Sequence, residues 1–175
     1  MRKVEVTAYN EKWPILFQEE AERLKNVFGV ELLEIHHIGS TSIPGLSAKP
    51  IIDMMPVVKS IEKIDAVNEK MKELGYLPKG EFGIPGRRYF PKAKENRTHH
   101  VHIFQEGSSH IHRHLVFRDY LRSHPTERGR YGLLKVNLAK KFPTDMVSYI
   151  KGKENLIKEL EQKALIWHKE RQNLN

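Results

Sequence analysis

The sequence predicts an α+β fold, with a core over residues 1–104 and a helical cap over residues 105–175. Strand-type and helix-type patterns alternate as far as Phe104, and from Ile111 onward only helical spacing recurs. The most apolar stretch, Ile51 to Val58, carries a single acid, Asp53. A run that is apolar on both faces reads as a central, covered strand. Mixed elements followed by helices alone argue for a sheet-bearing core with helices packed on it.

The elements follow in order. Asn10 is placed to cap a helix starting near Trp13-Pro14, with proline tolerated in the first turn. Phe17, Ala21, Leu24 and Phe28 recur at helical spacing, and Gly29 reads as the stop. Leu33, Ile35 and His37 alternate as in a strand. Ile61, Ile64, Val67, Met71 and Leu74 predict a helix ending at Gly75. Pro78 to Gly86 is rich in glycine and proline and reads as a loop. Arg87–Phe90 and Thr98–Phe104 predict paired strands joined by a charged turn. Helices are then expected over Ile111–Arg122, Thr126–Phe142, Asp145–Lys151 and Glu154–Gln172, punctuated by Pro125 and Pro143.

Composition narrows the function classes. Hydrophobic residues make up 39% of 175, enough for a folded core and too few for a membrane-embedded chain. No apolar run is long enough to span a bilayer. Cysteine is absent, which excludes disulfides and thiolate metal sites and makes a cytoplasmic protein the expectation. The formal charge of +8 suits phosphate-rich partners, though a solvated basic surface would account for it equally well. No basic platform interleaved with aromatics is visible, so nucleic acid is not indicated.

The candidate chemistry lies in Gly39-Ser40-Thr41-Ser42 and the following Lys49-Pro50-Ile51-Ile52-Asp53. Gly39 lets the backbone approach an anion closely. Ser40, Thr41 and Ser42 add hydroxyl and N–H donors, and a short helix starting near Ser42 or Ile43 would turn its dipole toward the same anion. Asp53 on the adjoining strand is placed to hold a divalent metal that bridges phosphate oxygens. The alternative is an ordinary buried acid in a structural hydrogen bond. An acid flanked by Ile51, Ile52, Met54 and Met55 needs a partner of one kind or the other.

The block His37-Ile38-Gly39-Ser40-Thr41-Ser42-Ile43-Pro44-Gly45-Leu46 resembles the signature of the GrpB family, a branch of the nucleotidyltransferase superfamily related to DNA polymerase beta. Ala48-Lys49-Pro50-Ile51-Ile52-Asp53 and His114 through Arg122 resemble later blocks of the same family. The Tyr131…Lys135 and Tyr149…Lys153 pairs fit it as well. The resemblance implies a nucleotidyltransferase-like mixed sheet. It also implies a nucleotide or other phosphate-bearing ligand, and Mg²⁺ or Mn²⁺ as cofactor.

One position departs from the superfamily. Its second acid stands two residues after the first, where this chain has Met55. The strand Thr98–Phe104 offers a different completion. With Val101 and Ile103 facing the core, His100 and His102 face the cleft with Asp53. Two imidazoles and one carboxylate suit Zn, Mn or Fe better than Mg alone. His110, His112 and His114 read as capping and surface residues. Lys49 is within reach of the turn, and Arg118 reads equally as a phosphate ligand or the partner of a buried acid. Lys135 and Lys153 each follow a tyrosine by four residues, which sets a ring and a cation on one helix face. The expected function is metal-dependent nucleotide binding with nucleotidyl transfer. The alternatives are a binding module without transfer chemistry and a His-site phosphoester hydrolase.

Overall fold

A computed structural model describes residues 2–174. Helix α1, Trp13–Phe28, buries Trp13, Phe17, Ala21, Leu24 and Phe28 as the spacing predicts. Asn10 does not occupy the N-cap. Its Oδ1 accepts the Lys12 N–H at 2.9 Å and its carbonyl accepts the Trp13 N–H at 3.0 Å. It therefore shapes the turn feeding the helix, and Lys12 at the N-cap makes no side-chain cap. Gly29, at φ 57°, ends the helix in a conformation that only glycine adopts cheaply.

Strands β1 (Leu32–Ile38), β2 (Ile52–Val58), β3 (Arg87–Pro91) and β4 (His99–Gln105) form one sheet in the order β1-β2-β4-β3. β1 and β3 pair antiparallel to their neighbours, whereas β2 and β4 run parallel. The apolar β2 is interior, as its sequence requires. The predicted alternation of β1 fails at Leu33, which is 41% exposed. A register shift between Leu32 and Glu34 is the cause, since a one-residue slip turns side chains to the other face.

The two faces of the sheet have different fates. Ile52, Met54, Val58, Val101 and Ile103 pack against α1 with Met71, Tyr76 and Phe90. Full burial of each such aliphatic side chain contributes roughly 1.5–3 kcal/mol. Asp53, Met55, His100, His102 and Phe104 alternate onto the opposite face. There Met55 and Phe104 meet Ile38, Ile111 and Leu115. Between β2 and β3 the expected helix is split into a 3-10 stretch, Glu62–Val67, and a short α2, Asn68–Glu73.

The helical segment comprises α3 (Ser109–Ser123), α4 (Pro125–Lys141) and α5 (Met146–Asn173). Ser108 caps α3 by accepting the His110 N–H. The sequence predicts a break near residue 152, but α5 is continuous. Gly152 is a packing site and not a stop: a Cβ there would come within 2.5 Å of Leu138 Cδ2, so its absence lets α4 and α5 meet closely. The helices sit directly on the core. Ile43 and Leu46 pack with Val116, Tyr120, Leu121, Tyr131 and Leu160. Val4 packs with Leu138 and Tyr149, and its N–H donates to the Pro143 carbonyl at 2.9 Å. Among the described residues, no helix is long and apolar enough to cross a membrane.

Candidate functional site

Asp53 is the register partner of Ile38, the last residue of β1, so the chain leaves β1 directly beside the carboxylate. Gly39 follows at φ 71°, ψ −173°, a region essentially reserved for glycine. A Cβ on Gly39 would lie 2.6 Å from Asp53 Oδ2. The glycine thus makes room for the acid itself. Ser40–Ser42 then form a 3-10 turn.

The hydroxyls of this turn do not all face one anion, as the sequence suggested. Thr41 Oγ1 meets His37 Nε2 at 2.9 Å and donates to the Ile51 carbonyl at 3.3 Å. Ser42 Oγ donates to the Gly39 carbonyl, and Ser42 is buried. These two side chains brace the bend. No helix begins at Ser42 or Ile43 to present a dipole, because Ile43 is already extended. Ser40 remains at the cavity edge, next to Tyr131, whose hydroxyl burial pushes up to about 12.

Asp53 carries the first cluster. Oδ1 accepts from His102 Nε2 at 3.1 Å and lies 3.6 Å from His100 Nδ1. Ligand-type atoms of Asp53, His100 and His102 all lie within 4.8 Å of one another. The side chains are 28%, 19% and 16% exposed, so the set is sheltered without being sealed. Burial opposes the Asp53 carboxylate, yet the His102 hydrogen bond and the fields of the surrounding histidines hold it below the usual range. Burial pushes His100 down to about 4 and His114 to about 3, so both are neutral at pH 7. Neutral imidazole is the form that binds metal.

Lysines form the opposite wall. A cavity of about 200 Å³ is lined by Ser40, Thr41, Lys49, Asp53, His100, Lys135, Tyr149 and Lys153, with Ala48 and Ile51. Lys135 is 2% exposed. Its Nζ lies 4.5 Å from the Tyr131 ring centroid and has no hydrogen-bond partner among the described residues. Lys153 Nζ lies 4.7 Å and Lys49 Nζ 5.2 Å from the Tyr149 centroid. Burial and then mutual repulsion push Lys135 down to about 6 and Lys153 to about 8. The Tyr149 hydroxyl and His100 Nε2 are likewise buried without hydrogen-bond partners among the described residues. Several donors therefore converge where, among the described residues, one carboxylate answers them.

Arg118 is not part of this wall. Its Nη1 donates to the His37 carbonyl at 3.2 Å and its Nε to Asp119 at 2.9 Å. It ties α3 to the end of β1 and is absent from the cavity lining. His114, read from sequence as a surface residue, instead packs beside His102 with ring centroids 6.2 Å apart. Its spacing from Ile111 and Leu115, which face the sheet, was the signal that places it on the inner side of α3.

The family model described as GrpB protein matches residues 3–163. The chain belongs to the GrpB family. Within the family, it is 55% identical to the UPF0157 protein YqkA of Bacillus subtilis, over 99% of this chain and 51% of that one. It thus spans about half the length of YqkA. The crystal structure of GrpB from Enterococcus faecalis superposes with a TM-score of 0.91 at 44% identity, covering 94% of this chain and 99% of that one. A structure of Cid1, described with RNA terminal uridylyl transferase activity, superposes with a TM-score of 0.52 at 14% identity. That match covers 76% of this chain and 42% of Cid1. It shows a nucleotidyltransferase-like fold.

Proposed function

We propose that this chain binds a nucleotide or similar phosphate-bearing small molecule in the cavity between Asp53 and the lysine wall, together with one divalent transition metal. The observation that carries the reading is Lys135, a buried amine with no hydrogen-bond partner among the described residues. Burial makes charging this amine costly, and a polyanion at the cavity would offset that cost. Lys49 and Lys153 add to the demand, and among the described residues Asp53 is the one acid lining the cavity.

The donor set bears on the metal. Asp53, His100 and His102 fit Zn²⁺, Mn²⁺ or Fe²⁺, because mixed imidazole and carboxylate ligands suit those ions. They do not fit a pair of Mg²⁺ ions, which need several carboxylates. Met55 is fully buried among Ile38, Phe104, Ile111 and Leu115. An ion held by the three residues would polarise a phosphoryl oxygen. The protein's own groups do the rest. Lys135, Lys153 and Lys49 neutralise phosphate charge, Ser40 and Tyr149 supply hydroxyls, and Gly39 keeps Asp53 at the bend. Transfer of a nucleotidyl group to an acceptor is the reaction this arrangement suits.

Met55 favours a second reading, a binding module that holds the ligand without transferring it. Calorimetry with ATP in the presence of Mn²⁺, Zn²⁺ or Mg²⁺, paired with a pyrophosphate-release assay, separates the two. Binding that depends on Mn²⁺ or Zn²⁺ is expected, with loss in Asp53→Asn and Lys135→Met. Release of pyrophosphate supports transfer, and binding without release supports the module. Nucleotide binding that is indifferent to both substitutions sinks the site assignment.

A further inference from the structure

Resting on that reading, we infer that the cavity continues past Lys49 into a second anion-binding basin, so that the ligand carries phosphate-type groups at two separated points. A cleft of about 290 Å³ adjoins the inner cavity and shares Lys49 and Ile51 with it as a common wall. Its other charged residues are Arg2, Lys3, Arg97, Glu5 and Glu95. With Lys49, four cations face two carboxylates, so the basin is net positive.

Arg97 is the decisive residue. Its Nε is buried and has no hydrogen-bond partner among the described residues. A guanidinium N–H left unbonded costs its full desolvation, and a phosphate or carboxylate oxygen is the usual partner for its planar fork. The backbone leading to it is held in an uncommon shape. Ala93 and Asn96 lie at φ 69° and 50°, in the left-handed region. Such conformations are disfavoured for residues other than glycine and persist where the surroundings enforce them. Here the Ala93 N–H donates to the Gly75 carbonyl and the Lys92 N–H to the His99 carbonyl, both at 2.9 Å. The β3–β4 turn is thereby anchored to the sheet that carries His100, and Arg97, at its far end, lines the basin.

Lys49 sits at the junction. Its Nζ contacts Met146 Sδ at 3.4 Å and lies over the Tyr149 ring, leaving it facing both basins with no carboxylate partner among the described residues. The two anionic groups would lie on either side of it. A nucleoside bisphosphate, or a nucleotide with a phosphorylated acceptor, has this distribution of charge.

Titration with inorganic phosphate by calorimetry tests the two basins separately. The wild-type chain is expected to take up two phosphates, Arg97→Ala one, and Lys135→Met one. Arg97→Gln, which keeps the length of the side chain, should behave as Arg97→Ala, and thermal melting confirms that each variant is folded. Adenosine 3′,5′-bisphosphate should bind the wild type about tenfold more tightly than adenosine 5′-monophosphate, and lose that advantage in Arg97→Ala. A single phosphate, or none, in the wild type overturns the second basin, as does a bisphosphate advantage that survives loss of Arg97. Failure of the inner site shows differently, as Lys135→Met with unchanged uptake.

Discussion

The backbone of Gly39 and the carboxylate of Asp53 are in such close contact that no side chain fits between them: a Cβ at 39 would lie 2.6 Å from Oδ2. Glycine here sets the position of the acid. Gly39→Ala must either push Asp53 aside or move the bend, on top of the cost of a backbone region that L-residues avoid. The expected loss is about 2–4 kcal/mol of unfolding free energy in urea. Mn²⁺ or Zn²⁺ uptake should fall with it. An alanine variant of wild-type stability would contradict the contact.

Lys135 should be a stability liability. Its amine titrates near 6 in the folded chain, far below its unfolded value, so the unfolded state binds more protons across the neutral range. Stability from this group therefore rises with pH and is incomplete at pH 7. Lys135→Met is expected to raise unfolding free energy by about 1–3 kcal/mol, while phosphate affinity drops. Destabilisation together with loss of binding would show instead that the ammonium is compensated in solution.

His37 is buried, stacks on Phe17 at 4.9 Å and bonds Thr41. Burial, with the nearby Arg122 and Arg118, brings its value down to about 4. A folded value below the unfolded one means stability is complete above about pH 6.5 and falls as pH drops toward 4. Each such histidine contributes a slope of about 1.4 kcal/mol per pH unit in that window. Urea midpoints measured from pH 7 to pH 4 should decline, and His37→Gln should flatten part of the slope.

Arg118 separates a bracing role from a ligand role. Because its guanidinium holds the His37 carbonyl and Asp119, Arg118→Ala should cost about 1–3 kcal/mol in stability. Phosphate affinity of the folded variant should change less than twofold, whereas Lys153→Ala should lose about tenfold. The opposite ranking would return Arg118 to the site.

Much of this protein was legible from residue order alone, wherever the physics is local. The spacing of Trp13, Phe17, Ala21, Leu24 and Phe28 forces one face of α1 inward, and the apolar run around Asp53 forces β2 into the middle of the sheet. Period-two alternation likewise set His100 and His102 on the face opposite Val101 and Ile103. What depends on a distant partner was not legible. The pattern divides residues 145–172 into two helices, whereas the close packing of Gly152 against Leu138 belongs to one continuous helix. Leu33 followed the strand pattern until the slip opposite Val57 and Val58 turned it outward. Thr41, Ser42 and Arg118 were chemically suited to phosphate, but their donors are taken by His37, Ile51 and Gly39 across the bend. His114 became part of the histidine cluster only when α3 docked on β4. A side chain's chemistry is written in the sequence, whereas the group that satisfies it is chosen by packing between segments far apart in the chain.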